Sequence, residues 1–216
     1  MKKALIISGG NIDFDFALCF LQEHSFTYLI AADKGLRFLN EAGICPTHIV
    51  GDFDSAGEVL VGEYENNPDV QIWRLNPIKD DTDTHEAMNL AIELGCEEIT
   101  VLGCTGTRID HVLGAVRDLR SPLFHHVKCI LLDPHNRIQL LETGISLKKE
   151  EQYGKYISLF GMGEGVHGLT LEGFAYPLKK YEMSGLDALG VSNEITAEEG
   201  TISFDSGILL MIESKD

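Results

Sequence analysis

The feature that most constrains this chain is the alternation, over residues 1–135, of short apolar runs with segments of helical periodicity. The apolar runs are "KALIIS", "FTYLIAAD", "THIVGD", "VQIWRL", "EITVLG" and "KCILLD". They are short and several are rich in Ile and Val, as strands covered on both faces must be. Between several of them the period changes. In residues 83–95, Ala87, Leu90, Ala91 and Leu94 recur at i, i+3, i+4, i+7, and in residues 108–119 Val112, Leu113, Val116 and Leu119 recur at i, i+1, i+4, i+7, again a helical stripe. Such alternation predicts an α/β N-terminal domain with a mainly parallel, Rossmann-like sheet, its ligands at the carboxyl ends of the strands. Trp73, inside "VQIWRL", reads as a core residue.

From residue 136 the pattern is different. "NRIQLL", "YISLFGM", "GLTLEGFAYPL" and "GTISFDSGILLMI" are separated by Gly-rich punctuation and show no amphipathic helix. This predicts an all-β C-terminal domain, residues 136–216, a β-sandwich or partial barrel. Carboxylate usage changes at the same boundary: 12 Asp and 9 Glu precede it, 3 Asp and 10 Glu follow it. The short carboxylate, which is positioned with less side-chain freedom, is concentrated in the α/β part.

Within that part, aspartates follow apolar runs or open helices at Asp33 in "IAADKG", at Asp52 and Asp54 in "GDFDS", at Asp80 and Asp83 in "KDDTD", and at Asp110 in "TGTRIDH". Alone, each reads better as a turn former or, for Asp83 with Glu86 three residues on, as a helix cap. Together they are harder to dismiss, because loops at the carboxyl ends of parallel strands converge on one edge. Crowded carboxylates repel unless a cation relieves them, and Mg²⁺ takes hard oxygen ligands alongside substrate phosphates. Phosphate is suggested independently by "SGGN" at 8–11 and by "GCTGTR" at 103–108, which puts Gly, Thr105 and Arg108 before a helix start, where free N–H groups favour anions. Lys79 beside the KDDTD carboxylates and the planar fork of Arg108 are further phosphate partners, and His111 adjoins Asp110. There is no Walker A sequence, and "DFDSAG" lacks EF-hand ligand spacing.

The net charge of −17 excludes nucleic acid as the main partner, since that role needs a basic surface. No apolar run approaches the roughly 20 residues of a membrane span. The five cysteines are scattered, with no CxxC pair, which points to reduced thiols and a cytoplasmic protein.

The stretches "AADKG", "PTHIVGDFDS", "KDDTDTHEAMNLAIELG", "TGTRIDH", "GLTLEGFAYPL" and "GVSNE", in this order over nearly the whole chain, resemble the thiamine pyrophosphokinase family. Thr107 and Cys104 depart from the more Gly-rich form of the loop before Arg108 that the family often has. The resemblance implies transfer of the pyrophosphoryl group of ATP to the hydroxyl of thiamine, giving thiamine diphosphate and AMP. It implies that Asp52, Asp54, Asp80 and Asp83 form the Mg²⁺ and pyrophosphate site. It puts Asp33, Lys79, Thr105, Arg108, Asp110 and His111 on the nucleotide side, and Ser192, Asn193 and Tyr176 against thiamine. It also implies a homodimer with active sites formed across the interface. Rival readings from the residues alone are a phosphatase with an aspartyl nucleophile at DxD and a sugar-nucleotide transferase with a DxD metal site.

Overall fold

The computed structural model describes residues 1–53, 55–76 and 82–216, the side chains of 55–57 excepted. The chain divides into two compact units, Met1–Pro134 and His135–Asp216.

In the first unit the elements follow one another as β1 (Lys3–Ile7), α1 (Phe14–Glu23), β2 (Tyr28–Ala32), α2 (Gly35–Glu41), β3 (His48–Gly51), α3 (Ser55–Gly62), β4 (Gln71–Arg74), α4 (Asp83–Glu93), β5 (Glu98–Leu102), α5 (Ile109–Asp118), α6 (Arg120–Phe124) and β6 (Lys128–Leu132). The strands lie in the order β4-β3-β2-β1-β5-β6, and every pairing among them is parallel. The central strands are apolar on both faces: Leu5, Ile6, Ile7, Ile30, Ile49 and Ile99 are fully buried. The order runs outward from β1 through β2, β3 and β4, then restarts on the other side with β5. The chain therefore reverses direction between β1 and β5, and the loops leaving these strands part there, which opens a crevice at their carboxyl ends.

The helical periodicity holds for α4, which buries Ala87, Met88, Leu90 and Ala91. In α5 the buried face is Ala115 and Val116, with Leu119 just beyond, whereas Leu113 is 59% exposed. Leu113, at i+1 from Val112, lies off the covered stripe of Ala115, Val116 and Leu119. Trp73 corrects the reading of a core residue: it is 38% exposed, because β4 is the edge of the sheet, and its ring packs on His48 at 5.4 Å between centroids.

The second unit contains β7 (Asn136–Leu141), β8 (Ile145–Lys148), β9 (Tyr156–Glu172), β10 (Leu178–Met183), β11 (Glu199–Ser203) and β12 (Ser206–Ser214), all paired antiparallel. "YISLFGM" and "GLTLEG", separate in the sequence reading, belong to the single 17-residue strand β9. The glycines between them do not end it. Gly163 (φ +62°) and Gly165 (φ +113°) take left-handed backbone, and the register against β12 jumps between Gly207 and Ile208, so the extra residues form a bulge. β11 and β12 run in succession along the same edge of β9 and pack Leu159, Leu169, Ile202, Leu209 and Met211 into the core.

Candidate active site

The crevice between β1 and β5 holds a cleft of about 640 Å³. One wall is the turn after β1, Ser8 to Asn11, and the facing wall is the loop after β5, with Gly103, Cys104, Gly106, Thr107 and Arg108. The two are laced together, since Ser8 N–H donates to Leu102 O and Gly10 N–H to Gly103 O, both at 2.8 Å. This closeness explains the glycines. A Cβ at Gly10 would lie 2.4 Å from Gly103 O, and Gly103 itself has φ +73°. Ala32, Asp33, Lys34, Thr82, Asp83, Thr84, His111 and Ala115 also line it.

Beside it, Asp33, Asp52 and Asp83 each bring a carboxylate oxygen to within 4.8 Å of the others. Each arrives from a different element: Asp33 ends β2, Asp52 ends β3 and Asp83 opens α4. Two of them depend on unusual backbone. Asp33 has φ +47°, and Phe53, next to Asp52, has φ +42°. Non-glycine residues in this region are uncommon and cost of order 1–3 kcal/mol, which the surrounding structure must offset. At Asp33 the offset includes its N–H, which donates to Val50 O at 2.9 Å. At Phe53 it is burial: the ring, 6% exposed, folds back over Gly51, where a Cβ would lie 2.8 Å from it, and the Arg74 guanidinium sits 5.7 Å from its centroid. The "GDF" stretch thus needs Gly51 to admit the ring that turns the chain beyond Asp52.

The cluster is electrostatically loaded. Burial raises the Asp33 carboxyl above its ordinary range; the Lys34 N–H and ammonium oppose this, while the charges of Asp83 and Asp52 add to it. Three carboxylates with this spacing suit a hard cation. In octahedral coordination at roughly 2.0–2.1 Å, oxygens lie about 2.9 Å apart when adjacent and about 4.2 Å when opposite, so oxygens all within 4.8 Å of one another are near enough for one ion to draw together.

Arg108 stands apart from that cluster. Its Nε donates to Asp110 Oδ1 at 3.1 Å and its Nη2 to Oδ2 at 2.5 Å, both side chains being mostly exposed. The Arg108 guanidinium holds the Asp110 carboxyl down at about 2. Asp110 Oδ1 also accepts from His111 N–H at 3.0 Å. Arg108 and His111 line the cleft, whereas Thr105 and Asp110, on the same loop and helix start, are absent from its wall among the described residues.

The sequence reading put Asp33 on the nucleotide side, whereas the geometry brings its carboxylate to Asp52 and Asp83. Asp54, Lys79 and Asp80 lie outside the described residues. In the second unit, Asn193 is 5% exposed and its side chain is occupied by the fold. Its Oδ1 accepts from Tyr176 N–H at 3.0 Å and Glu194 N–H at 2.9 Å, and its Nδ2 donates to Tyr176 O at 2.8 Å. Asn193 therefore pins the backbone of Tyr176, whose side chain is 72% exposed. Ser192 is exposed, with φ +57°, and its N–H donates to Ser158 Oγ at 3.0 Å. Sequence reasoning missed Phe53, for which the glycine before Asp52 was the available signal.

Comparison with known proteins agrees over both units. Residues 21–131 match the family model of the thiamin pyrophosphokinase catalytic domain, and residues 142–209 match that of the thiamin pyrophosphokinase vitamin B1 binding domain. The chain is 36% identical over 219 residues to a thiamine pyrophosphokinase of Bacillus subtilis, all of both chains being covered. The crystal structure of thiamine pyrophosphokinase from Bacillus subtilis superposes with a TM-score of 0.86 at 34% identity over 100% of each chain. That of thiamin pyrophosphokinase from Geobacillus thermodenitrificans gives 0.83 at 31% identity, covering 100% of this chain and 98% of the other. With family models over both units and a relative matched end to end, the chain belongs to the thiamin pyrophosphokinase family.

Proposed function

We propose that the protein transfers the pyrophosphoryl group of ATP to the hydroxyl of thiamine, releasing AMP, at the cleft of the first unit. The observation that carries this reading is the convergence of Asp33, Asp52 and Asp83 beside a glycine-walled cleft lined by Arg108, in a chain of this family. Asp33, Asp52 and Asp83 would hold Mg²⁺, with Asp54 and Asp80 as further ligands from the same sequence motifs. Bound there, the ion neutralises phosphate charge and orients the pyrophosphate for in-line displacement.

The residues of the chain account for the rest. The thiamine hydroxyl oxygen attacks the β-phosphorus of ATP, the bond from that phosphorus to the α–β bridging oxygen breaks, and AMP leaves with the bond's electron pair. The hydroxyl proton passes to an aspartate of the site. Catalysis of such transfers consists chiefly of positioning and charge neutralisation. Gly9 and Gly10 allow the phosphates to approach the backbone, and the exposed start of α5, where Arg108 makes no side-chain cap, turns the positive end of the helix dipole to them. Arg108 and Lys79 supply positive charge, with Thr105 and His111 near the nucleotide. For Arg108 to grip a phosphate with its fork, it must exchange Asp110 for the ligand.

Thiamine is assigned to the second unit, where Tyr176 and Ser192 present their side chains and Asn193 holds the backbone between them. A homodimer belongs to this reading: Leu186, Leu189 and Val191 are 96%, 60% and 48% exposed, apolar surface that a second copy would cover. The parallel order of the first unit supports the Rossmann-like description, and the bulged β9 shared by two sets of strands supports a partial barrel or sandwich. A cytoplasmic setting is proposed on the free cysteines, Cys19 and Cys45 being exposed. Among the described residues no helix is long and apolar enough to cross a membrane.

The test is a product assay with Mg²⁺, thiamine and ATP labelled at the β-phosphorus. The reading expects label in thiamine diphosphate and release of AMP. ADP with thiamine monophosphate, or inorganic phosphate with thiamine untouched, would overturn it.

A further inference from the structure

We infer that Asp118 is a positioning residue for this reaction: it anchors the first turn of α4 through the Thr82 hydroxyl and so sets the Asp83 carboxylate against Asp33 and Asp52. The inference rests on the reading of Asp83 as a cation ligand. Asp118 is the last residue of α5, so its carboxylate sits at the negative end of a helix dipole, where a cation is favoured and an anion is not. Its side chain is also only 18% exposed. A half-buried anion at that place requires a donor, and the hydroxyl of Thr82, which caps α4, supplies one, while His85 Nδ1 is close to it without hydrogen-bond geometry.

Thr82 Oγ1 donates to Asp118 Oδ2 at 3.2 Å, and His85 Nδ1 lies 3.2 Å from Oδ1. The same Thr82 hydroxyl accepts from His85 N–H at 3.1 Å, capping α4. A single hydroxyl that both accepts from its own helix and donates to another cannot rotate without losing one bond. On the other side of Asp83, Thr84 Oγ1 lies 2.5 Å from Ser8 Oγ, and Ser8 is buried at the end of β1. Asp83 is therefore held between two anchored neighbours, one tied to α5 and one to β1. Asp118 is absent from the lining of the cleft and acts only through these residues. Groups bonded directly to a metal ligand are worth roughly 10–100-fold in metal affinity, and Asp118, one step further out, is expected at the lower end of that range.

The experiment measures Mn²⁺ binding to the full chain by electron paramagnetic resonance, together with KM for Mg·ATP and for thiamine. Asp118→Ala is expected to weaken Mn²⁺ binding roughly tenfold or more and to raise KM for Mg·ATP in step, with KM for thiamine unchanged. Asp118→Asn, which keeps an oxygen for Thr82, is expected to retain most of the affinity. Should Asp118→Ala fail to fold, Thr82→Val removes the same link and is expected to give the same losses. Wild-type Mn²⁺ affinity in the variants, or a loss spread equally over metal and thiamine with a lowered Tm, would overturn the inference. If the unaltered protein bound no Mn²⁺, the cation reading of Asp83 would fall and this inference with it. Tight binding that the variants leave unmoved would remove the inference alone.

Discussion

Asp33 shares its surroundings with Asp52 and Asp83, whereas Asp110, at the start of α5, has Arg108 as its partner. Burial and like charges push the Asp33 carboxyl up, while the Arg108 guanidinium holds Asp110 down at about 2. The first region is costly to fold and carries backbone strain at Asp33 and Phe53, and the second is a mostly exposed ion pair. Carboxylates that repel one another in a strained setting add nothing to stability, which is why the proposed function gives them a cation. In the proposed function the Arg108–Asp110 pair would hold the arginine until phosphate replaces the carboxylate.

The largest effect should come from the crowded region. Asp52→Asn is expected to lower turnover at least about 100-fold, while thermal unfolding shows a Tm equal to or above that of the unaltered protein, since a repulsion has been removed. A large fall in Tm would mean that the cluster is structural. Arg108→Ala comes next. Steady-state kinetics should show KM for ATP raised about tenfold, with kcat less affected and Tm unchanged, because an exposed pair contributes little to stability. An unaltered KM for ATP would take Arg108 out of the nucleotide site.

The smallest effects separate the two regions by pH. Asp33 has a folded value above its ordinary 3.8, so between the two values the native state holds a proton the unfolded chain has released. Stability therefore falls as pH rises through that window, and Asp33→Asn should flatten the fall. Asparagine is the suitable replacement, since it tolerates the left-handed backbone that Asp33 adopts. Asp110 has the opposite sign: its contribution is present above 3.8 and is lost as pH falls toward about 2, and Asp110→Asn should abolish that loss. Urea unfolding from pH 2 to 7 reads both, and identical profiles for the two variants would erase the contrast.

Much of this was legible from residue order. Period-2 and period-3.6 patterns mark the strands and helices, and a parallel sheet sends the ends of β1, β2, β3 and β5 to one edge, which is why the aspartate loops converge. What the pattern does not carry is which carboxylate meets which. Asp33 joins Asp52 and Asp83 because its left-handed backbone turns it there, a local conformation with no periodic signature. Trp73 and Leu113 look like core because hydrophobicity alone does not distinguish an edge strand or an outer helix face. The length of β9 is hidden by Gly163 and Gly165, which read as punctuation but host a bulge. Asn193 was legible as important, yet its buried bonds to Tyr176 and Glu194 reveal a structural task that spacing does not convey.

The central claim is that Asp33, Asp52 and Asp83 form a cation site and that Asp110 does not belong to it. Mn²⁺ titration by electron paramagnetic resonance on the four single Asp→Asn variants tests it directly. Each of the first three is expected to bind Mn²⁺ at least about tenfold more weakly than the unaltered protein, with Asp110→Asn unchanged. Equal affinity in all four, or a loss confined to Asp110→Asn, would contradict it.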